Sequence, residues 1–437
     1  MAITFKGGVH PPESKHFTED KPIERIPAPE VVYVLLSQHI GAPAKPIVKR
    51  GDVVKKGQKI AEAAGFVSAN IHSPVSGKVK AIDKIPHFLG SYSQAVVIEN
   101  DGEDTPAEEL EPHPDWQNLS PEDIRNIVAE AGIVGMGGAT FPTHVKLSPP
   151  KEKPIHTVIL NGAECEPYLT ADHRLMLENP DEIVEGALII KHTLGAERVI
   201  IGIENNKPDA IQTMRKSAEG RGIEVAELKT KYPQGAEKQL INALTGLEVP
   251  SGGLPFDVGC YVQNVGTAKA IYDAVVKGIP LIERVVTVSG LAVKEPKNLL
   301  APIGTKLSEL VDACGGTSGE VGKVIMGGPM MGLAQWTLDT TVTKGTSGLL
   351  LFPPEMASVG EETTCISCAS CVDVCPMRLL PTSIAHNAKY GRFEIAGKLG
   401  AMDCIECGSC VFVCPANINL LHYIRWAKLE LRKMAKK

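Results

Sequence analysis

The sequence lacks a long apolar segment. Its uninterrupted apolar runs, such as VVYVLL at 31–36 and LLLF at 349–352, are far shorter than the ~20 residues that an α-helix needs to cross a bilayer. The opening residues MAITFKGGVHPPE also lack the apolar stretch of a secretory signal. We therefore expect a chain in the cytoplasm or facing it, with any membrane association made through a partner or a surface helix.

The sequence has no excess of positive charge. It contains 45 Lys and Arg against 51 Asp and Glu, which gives a formal net charge of −6. Domains that bind nucleic acid usually carry a basic balance or a basic face, so we expect no nucleic-acid partner. With 43% hydrophobic and 22% charged residues, the 437 residues suffice for roughly two to four soluble globular domains.

A glycine-rich loop lacks the usual nucleotide signatures. The stretch AGIVGMGGATFPTHVKL at 131–147 contains neither G-x-G-x-x-G nor a closing G-K-[ST]. Ser120-Pro121-Glu122-Asp123 predicts the N-terminus of a helix that runs through Ala131 directly before the loop. Because backbone N–H groups of such loops cradle phosphates, we predict a phosphate site of another type. The alternative is a simple tight turn.

Cysteine is unevenly distributed, with eight of the eleven cysteines between 365 and 414. CISCASCVDVCP (365–376) and CIECGSCVFVCP (404–415) both read C-x2-C-x2-C-x3-C-P, the run of bacterial two-cluster iron–sulfur proteins, in which the fourth cysteine binds the other cluster. Zinc sites, the alternative, commonly use two C-x2-C pairs instead. We therefore predict two 4Fe-4S clusters, one held by Cys365, Cys368, Cys371 and Cys414, the other by Cys404, Cys407, Cys410 and Cys375.

The surroundings of these runs extend the prediction. The segment between them, 379–403, has helical periodicity, which favours a helical ferredoxin-type domain. Cys165, Cys260 and Cys314 lie outside the runs and are expected to be small buried residues. Since iron–sulfur clusters carry single electrons, a group upstream must collect electrons in pairs. A flavin does this, and the glycine-rich loop would hold its phosphate.

The segment from 31 to about 100 predicts short strands. Gly51-Asp52 and Gly57-Gln58 mark turns between alternating apolar residues, so a small β-sandwich is expected. The run from Gly51 to Ala61, G-D-x-V-x-x-G-x-x-I-A, resembles the lipoyl/biotinyl barrel-sandwich fold. Carriers of that family place a lysine on a hairpin tip. The equivalent turn at 68–70 reads Ser-Ala-Asn, so we interpret this domain as a packing module.

After the glycine-rich loop, strand and helix patterns alternate. HTVILNG (156–162), RVIIGIE (198–204) and GIEVAELK (222–229) predict strands, and helices are predicted at 180–194, 207–219 and 235–245. This order favours an α/β layer structure with a mostly parallel sheet. Asn161, Glu164 and Glu166 follow the first of these strands, at the sheet edge where such folds bind ligands. VVTVSGLAV (285–293) then resembles the β-grasp domain that binds soluble ligands.

Four signatures in order resemble a known flavoprotein. These are G-x-G-G-A-x-F-P-T-x-x-K, N-x-x-E-x-E-P, a Tyr-x-x-Gly-x-Glu stretch and an N-V-x-T stretch. Over about 120–345 the chain resembles the FMN- and NADH-binding subunit of respiratory complex I. With the barrel-sandwich segment before it and the cysteine runs after it, the whole chain resembles the family of C subunits of the Rnf complexes, which are membrane-bound, ion-translocating ferredoxin:NAD oxidoreductases.

The resemblance implies a multidomain α+β chain. Residues 1–110 would form an arm and the β barrel-sandwich hybrid, and 111–280 the α/β domain that binds FMN and NADH. Residues 281–350 would form a β-grasp domain of the SLBB type, and 351–437 the helical two-cluster domain with a basic C-terminal helix. That basic tail is interpreted as a solvated helix end, the alternative being electrostatic docking to an acidic partner or to anionic lipid.

The resemblance also implies site residues. Gly135, Gly137, Gly138 and Lys146 would surround the FMN phosphate and ribityl chain, Asn161 and Glu164 would contact the flavin, and Gly235, Asn264 and Thr267 would close the site. Glu166 and Glu237 would face NADH, with Phe141 and Phe256 near the adenine. The sequence departs from the complex I pattern at Met136, where an arginine is expected, at Ala163, where an acid is expected, and at Gly253, where Lys238 could supply the missing charge.

The implied function is NADH oxidation, with electrons passing from NADH to FMN, through the two 4Fe-4S clusters and on to a partner. The chain would be a peripheral subunit of a hetero-oligomer on the cytoplasmic face of the cell membrane. Its partners would be integral-membrane and ferredoxin-interacting subunits. One alternative is a soluble flavo-iron–sulfur protein like the cobalamin reductase of microcompartments. Another is a docking subunit whose flavin site has decayed.

Overall fold

An N-terminal arm precedes the first domain. The computed structural model describes residues 2–108, 110–358 and 360–435. The arm is largely irregular and contains the short strand β1 (Ile23–Arg25). Backbone contacts place the arm over distant parts of the chain, because Ile3 pairs beside Leu228 and the N–H of Gly8 donates to the carbonyl of Val374, at 2.7 Å.

The next unit is a sandwich of two small antiparallel sheets. Their strands are β2 (Val31–Leu35), β3 (Lys45–Pro46), β4 (Val53–Val54), β5 (Lys59–Glu62), β6 (Ile71–His72), β7 (Gly77–Pro86) and β8 (Tyr92–Asn100). One sheet has the order β2-β8-β7-β4 and the other β3-β5-β6. Along β2, Val32 and Val34 point into the core while Tyr33 between them is half-buried, as the two-residue period of a strand requires. The turn at 68–70 is buried, consistent with a packing module.

The central unit is an α/β sandwich. Its parallel strands β9 (Thr157–Gly162), β10 (Arg198–Glu204), β11 (Ile223–Leu228) and β12 (Cys260–Asn264) have the order β11-β10-β9-β12. Its helices are α1 (Pro121–Glu130), α2 (Thr143–Lys146), α3 (Ala171–Glu178), α4 (Pro180–Leu194), α5 (Pro208–Ala218), α6 (Glu237–Thr245) and α7 (Val265–Lys277). Ser120 caps α1 by accepting from the N–H of Asp123, as predicted. Since the strands are parallel, their carboxyl ends share one edge, where Asn161 and Asn264 lie side by side in register.

A mixed sheet follows. It contains β13 (Glu283–Ser289), β14 (Lys297–Pro302), β15 (Lys323–Met326), β16 (Leu333–Gln335) and β17 (Gly348–Phe352), with helices α8 (Leu307–Ala313) and α9 (Pro354–Ala357). The N-terminal arm adds β1 to this sheet, in the order β1-β14-β13-β17-β15-β16. The arm is therefore a structural part of the β-grasp unit, which the sequence did not predict.

The C-terminal unit is helical, as the periodicity of 379–403 predicted. It comprises α10 (Ser370–Asp373), α11 (Pro381–Lys389), α12 (Phe393–Lys398), α13 (Ser409–Phe412) and α14 (Leu420–Met434). Ile384, Ala388 and Ile424 form part of its small core. The last two lysines of the basic tail lie outside the described residues. Among the helices of the described ranges, none is long and apolar enough to cross a membrane.

A buried lysine joins three of these units. Lys344, before β17, is fully buried, and its ammonium donates to the carbonyl of Asn70 at 2.6 Å and to that of Gly132 at 2.7 Å. Asn70 belongs to the barrel sandwich and Gly132 to the start of the glycine-rich loop. Burial lowers the pKa of Lys344 from 10.5 to about 7. The junction therefore holds an ionisable group whose protonation is disfavoured by folding.

This junction predicts a pH dependence of stability. The unfolded chain binds a proton at Lys344 up to pH 10.5 and the folded chain only up to about pH 7, so folding becomes more favourable as pH rises between these values, by up to roughly 5 kcal/mol. We expect the unfolding temperature of the wild type to rise relative to that of Lys344→Met between pH 7 and pH 10. Lys398→Met, at an exposed position, should keep the wild-type profile. Parallel profiles for the wild type and Lys344→Met would contradict the prediction.

Candidate functional site

The glycine-rich loop is a closed turn between α1 and α2. The N–H of Gly135 donates to the carbonyl of Phe141 at 2.8 Å, and Val134 bridges to Pro142. Gly137 has φ +81°, and a Cβ there would lie 2.8 Å from Nδ2 of Asn264, whereas a Cβ on Gly138 would meet nothing within 4 Å. The loop is thus pressed against α7 on one side and open on the other. Such a surface of backbone without side chains fits a phosphate group.

The N-terminus of α7 holds this loop. Asn264 caps the helix by accepting from the N–H of Gly266 at 2.8 Å, and its amide donates to Asp172 at 2.6 Å. Thr267, which is fully buried, accepts from the N–H of Met136 at 2.8 Å. The structure therefore brings Asn264 and Thr267 to the glycine-rich loop, while their part in closing the FMN site stays a prediction. The positive end of the helix dipole favours an anion here.

The sequence departs from the complex I pattern at Met136, and the structure places another arginine there. Arg284, on β13, is buried, and its Nη1 lies 2.5 Å from Sδ of Met136. Burial lowers the pKa of Arg284 to about 10, an effect opposed by the carboxylate of Asp172, so the guanidinium stays charged. Sequence reasoning missed Arg284, because nothing at 284 marks it as a neighbour of a loop nearly 150 residues earlier.

Lys146 and Glu237 form an ion pair. The ammonium of Lys146 lies 2.7 Å from Oε1 of Glu237, and the two side chains are 30% and 38% exposed. The ammonium also lies 5.5 Å from the centre of the Tyr261 ring. The sequence assigned Lys146 to FMN and Glu237 to NADH, and the structure brings them into one contact at the mouth of the site. Lys238 does not join this ion pair, and its ammonium lies 3.5 Å from the carbonyl of Pro250.

Asn161 and Gly235 meet at the carboxyl end of β9. The amide of Asn161 donates to the carbonyl of Gly235 at 2.8 Å, and its oxygen accepts from the N–H of Ala163 at 3.1 Å. A Cβ on Gly235 would come within 3.3 Å of the Asn161 amide. The close approach therefore favours glycine at 235, and the predicted neighbours are adjacent.

Glu164 is bound to the N-terminus of α3. Its two carboxylate oxygens accept from the N–H groups of Asp172 at 2.7 Å and His173 at 3.1 Å. Burial raises the pKa of Asp172 to about 7, with the neighbouring Glu164 carboxylate adding to the effect. The local role of Glu164 is to cap a helix and fix the loop that follows β9, which the sequence signature did not reveal.

Glu166 is bound to the β-grasp unit. Its carboxylate accepts from the N–H groups of Met330 at 3.0 Å and Met331 at 2.9 Å. Burial raises its pKa to about 7, even though both N–H contacts act in the opposite direction. A Cβ on Gly328 would collide with this side chain at 2.3 Å. Glu166 therefore ties the flavin-domain loop to the turn between β15 and β16.

The two predicted aromatic residues lie in separate segments. Phe141 is half-buried at the end of the glycine-rich loop. Phe256 lies in the short helical turn Pro255–Val258, and the ammonium of Lys153 is 4.9 Å from the centre of its ring. Their proximity to an adenine stays a prediction.

Two buried lysines support the loop that follows β9, and the sequence analysis missed both. Lys207 donates to the carbonyl of Ala163 at 2.7 Å. Lys15, from the N-terminal arm, donates to three carbonyls of the same loop, those of Glu164 (2.9 Å), Glu166 (3.0 Å) and Leu169 (2.6 Å). The two amino groups therefore hold the carbonyls of this loop from beneath. No local pattern could have identified Lys15, which sits in an irregular charged arm.

The two cysteine runs fold in the same way. The N–H of Ser367 donates to Sγ of Cys365 and the N–H of Glu406 to Sγ of Cys404, both at 3.4 Å. The helices α10 and α13 begin at equivalent positions, after residues 369 and 408, which have φ of +60° and +77°. Hydrogen bonds of this kind to sulfur are among the features that set the potential of an iron–sulfur cluster.

The cysteines group across the runs. One apolar cavity is lined by residues of both runs, among them Cys375, Cys404, Cys407 and Cys410. Cys371 lies within electrostatic reach of Cys414 and Cys365. Burial raises the pKa of Cys404 to about 11 and of Cys410 to about 12. The residues present fit the crossed sets predicted from the spacing.

Three cysteines lie outside the two runs. Cys260 and Cys314 are buried, and Cys165 is partly buried.

Four family models match successive segments. The RnfC barrel-sandwich hybrid domain matches residues 3–103, the Nuo51 FMN-binding domain 128–273, the SLBB domain 285–334 and the 4Fe-4S dicluster domain 364–418. The predicted fold class and its order of units are confirmed, as are FMN and 4Fe-4S clusters as the cofactors. Of the cysteine alternatives, zinc is not supported.

A solved structure shares the fold of much of the chain. The NAD+-reducing NiFe-hydrogenase in its H2-reduced state gives a TM-score of 0.50 at 19% identity, covering 74% of this chain and 63% of that one. At this identity the likeness concerns the fold alone.

Curated relatives match the chain from end to end. It is 53% identical to the C subunit of the proton-translocating ferredoxin:NAD(+) oxidoreductase complex of Clostridium ljungdahlii, over 99% of this chain and 95% of that protein. It is 49% identical to the Na(+)-translocating counterpart of Acetobacterium woodii, over 98% and 97%, and 45% identical to the C subunit of the ion-translocating oxidoreductase complex of Rhodobacter capsulatus, over 99% and 84%. The cobalamin-reductase-like alternative is not favoured. The chain therefore belongs to the RnfC family, the C subunits of ion-translocating ferredoxin:NAD oxidoreductase complexes.

Proposed function

We propose that this chain is the NADH dehydrogenase of its complex, a peripheral subunit on the cytoplasmic face of the membrane. Its partners would be integral-membrane and ferredoxin-interacting subunits. One observation carries the proposal: the loop at the flavin site and a cysteine ligand of the cluster domain are joined within one chain by Tyr232, whose hydroxyl donates to the carbonyl of Cys407 at 2.7 Å. When bound, FMN accepts the electron pair of a hydride from NADH and the clusters carry single electrons.

The flavin-binding role is proposed for residues around the open loop. Gly135, Gly137 and Gly138 would present N–H groups to the phosphate, Lys146 would supply a cation, and Asn161 would meet the ring. The other residues assigned to the flavin site would hold these residues in place. They are Glu164, Gly235, Asn264 and Thr267. For NADH, Glu237 lies at the mouth of the site in contact with Lys146, and Glu166, Phe141 and Phe256 complete the proposed contacts. The proposed domain limits at 110, 280 and 350 leave each matched family segment within one unit.

The two cysteine sets have different surroundings. The set formed by Cys375, Cys404, Cys407 and Cys410 adjoins the flavin domain, since the amide of Gln239 donates to the carbonyl of Pro376 at 3.2 Å. In the other set, Cys365 and Cys368 are exposed. We propose that the first set holds the cluster that receives electrons from the flavin domain. The second set then faces the partner that accepts them.

Activity of the isolated chain tests this function. Purified anaerobically with FMN and iron, it should oxidise NADH with an artificial one-electron acceptor but should not reduce ferredoxin, because that step needs the other subunits. Failure to oxidise NADH despite bound FMN would overturn the dehydrogenase role. Robust ferredoxin reduction by the isolated chain would overturn the proposal that this step needs the other subunits. In cells, the chain should leave the membrane fraction on treatment with high salt or a chaotrope.

A further inference from the structure

Tyr232 lies between the flavin-domain loop and the cysteine cavity. Tyr232 is 1% exposed and forms a small cluster with Val9 and Cys407. Packed against this cluster are residues of three units, Cys165, Met330, Val374, Ile405 and Val413. Cys165 follows Glu164 in the loop after β9, so one side of Tyr232 faces the flavin domain. Cys407 lines the cavity of the cluster set, so the other side faces the cysteines.

The hydroxyl of Tyr232 acts on a cluster ligand. It donates to the backbone carbonyl of Cys407, with 2.7 Å between the oxygens. Because the hydroxyl donates this hydrogen bond, the phenol carries its proton and is neutral. Its O–H dipole points toward the residue whose thiolate lies in the cavity.

The backbone of Tyr232 is held by the N-terminal arm. Its N–H donates to the carbonyl of Val9 at 2.9 Å, and its carbonyl accepts from the N–H of Val9 at 2.8 Å. The next residue of the arm, toward the N-terminus, is Gly8, whose N–H donates to the carbonyl of Val374, beside Cys375. Three residues after the tyrosine, the N–H of Gly235 lies 3.4 Å from Sγ of Cys165. The ring is thus held rigidly between the two units.

We propose that Tyr232 is a positioning residue that couples the flavin domain to the cluster held by Cys375, Cys404, Cys407 and Cys410. Its O–H dipole stabilises the extra negative charge of the reduced cluster and so raises the reduction potential. The hydrogen bond between the Tyr232 hydroxyl and the backbone of Cys407 also shortens the gap that an electron crosses between the flavin domain and the cluster. Only one electron moves, and the phenol keeps its proton throughout. The inference rests on the proposed function, since it assigns direction to the same electron path.

Tyr232→Phe removes the hydroxyl and keeps the ring. We expect unchanged FMN and iron contents, unchanged flavin reduction by NADH in the stopped-flow, a lower midpoint potential for this cluster, and several-fold slower reduction of the cluster after the flavin. The potential is measured by EPR during titration with dithionite, without NADH. Tyr33→Phe, on β2 of the barrel sandwich, is the matched control and should match the wild type. An unchanged potential together with an unchanged cluster reduction rate would overturn the proposal.

A second variant keeps the test valid if Tyr232→Phe loses iron. Incorporation of a fluorinated tyrosine at 232 preserves the ring and strengthens the hydroxyl as a donor, so the potential of the same cluster should rise. A potential that does not respond to fluorination would also overturn the proposal. A chain that fails to oxidise NADH but shows both shifts in the dithionite titration would contradict the proposed function and leave the role of Tyr232 intact.

Discussion

Gly137→Val is expected to give a protein that retains its iron and loses its FMN. The residue has φ +81°, which side-chain-bearing residues rarely adopt, and a Cβ would lie 2.8 Å from Nδ2 of Asn264. The valine would push the loop away from the N-terminus of α7. We expect FMN content below about one-tenth of the wild-type level, because the loop cannot keep its strained shape with a branched side chain. Flavin absorbance and iron analysis on the same sample measure both effects.

Two further glycine variants distinguish loss of FMN through backbone strain from loss of FMN through a clash with the cofactor. A Cβ added at Gly138 meets nothing within 4 Å, so loss of FMN in Gly138→Val would indicate that the bound cofactor occupies the space above the loop. Gly220→Val is the control for backbone strain, because Gly220 has φ +72° with open space around it and lies far along the chain, after α5. Full FMN occupancy in both Gly137→Val and Gly138→Val would show that the phosphate of FMN binds elsewhere.

Cys375→Ser is expected to remove the cluster that is held mainly by the other run. Cys375 shares its cavity with Cys404, Cys407 and Cys410, so the cluster bound by Cys365, Cys368, Cys371 and Cys414 should survive. Iron should fall from about eight to about four atoms per chain, given two 4Fe-4S clusters. NADH should still reduce the flavin, while electron transfer beyond it should stop.

Spectroscopy and one control variant decide this prediction. EPR of the reduced protein should lose the signal of one cluster and the magnetic interaction between the two. Cys314→Ser, at a buried cysteine of the β-grasp unit, should leave the iron content unchanged. The crossed assignment is wrong if Cys375→Ser spares the cluster of Cys404 and removes that of Cys365.

The parts of the fold that could be predicted are those encoded locally. The spacing of the cysteines defines the cluster domain, because the ligands of each set come mainly from one short run. The strands β9, β10 and β11 and the helices α4, α5 and α6 lie close to their predicted positions, since apolar periodicity records which face is buried. The glycine-rich loop was found in the same way, because positive φ restricts the choice of residue at Gly137.

The contacts that were missed join residues that are distant in the chain. Lys15 reaches a loop 149 residues later, and Tyr232 reaches Cys407 across 175 residues. A sequence pattern records neither partner. Glu166 illustrates a second reason, because the signature identifies the carboxylate but not its binding to Met330 and Met331, which only the packing of the β-grasp unit creates.

The N-terminal arm has a consequence for how the protein is made. Residues 3–25 are translated before their partners, which include Leu228, Val374 and strand β14. At about 5–20 residues per second, the ribosome reaches Val374 roughly twenty seconds to a minute after Gly8. Until then the arm lacks part of its binding surface, so its contact with Val374 can form only after the first cysteine run has been synthesised. The arm therefore closes over Tyr232 and Cys375 at a late stage of biogenesis.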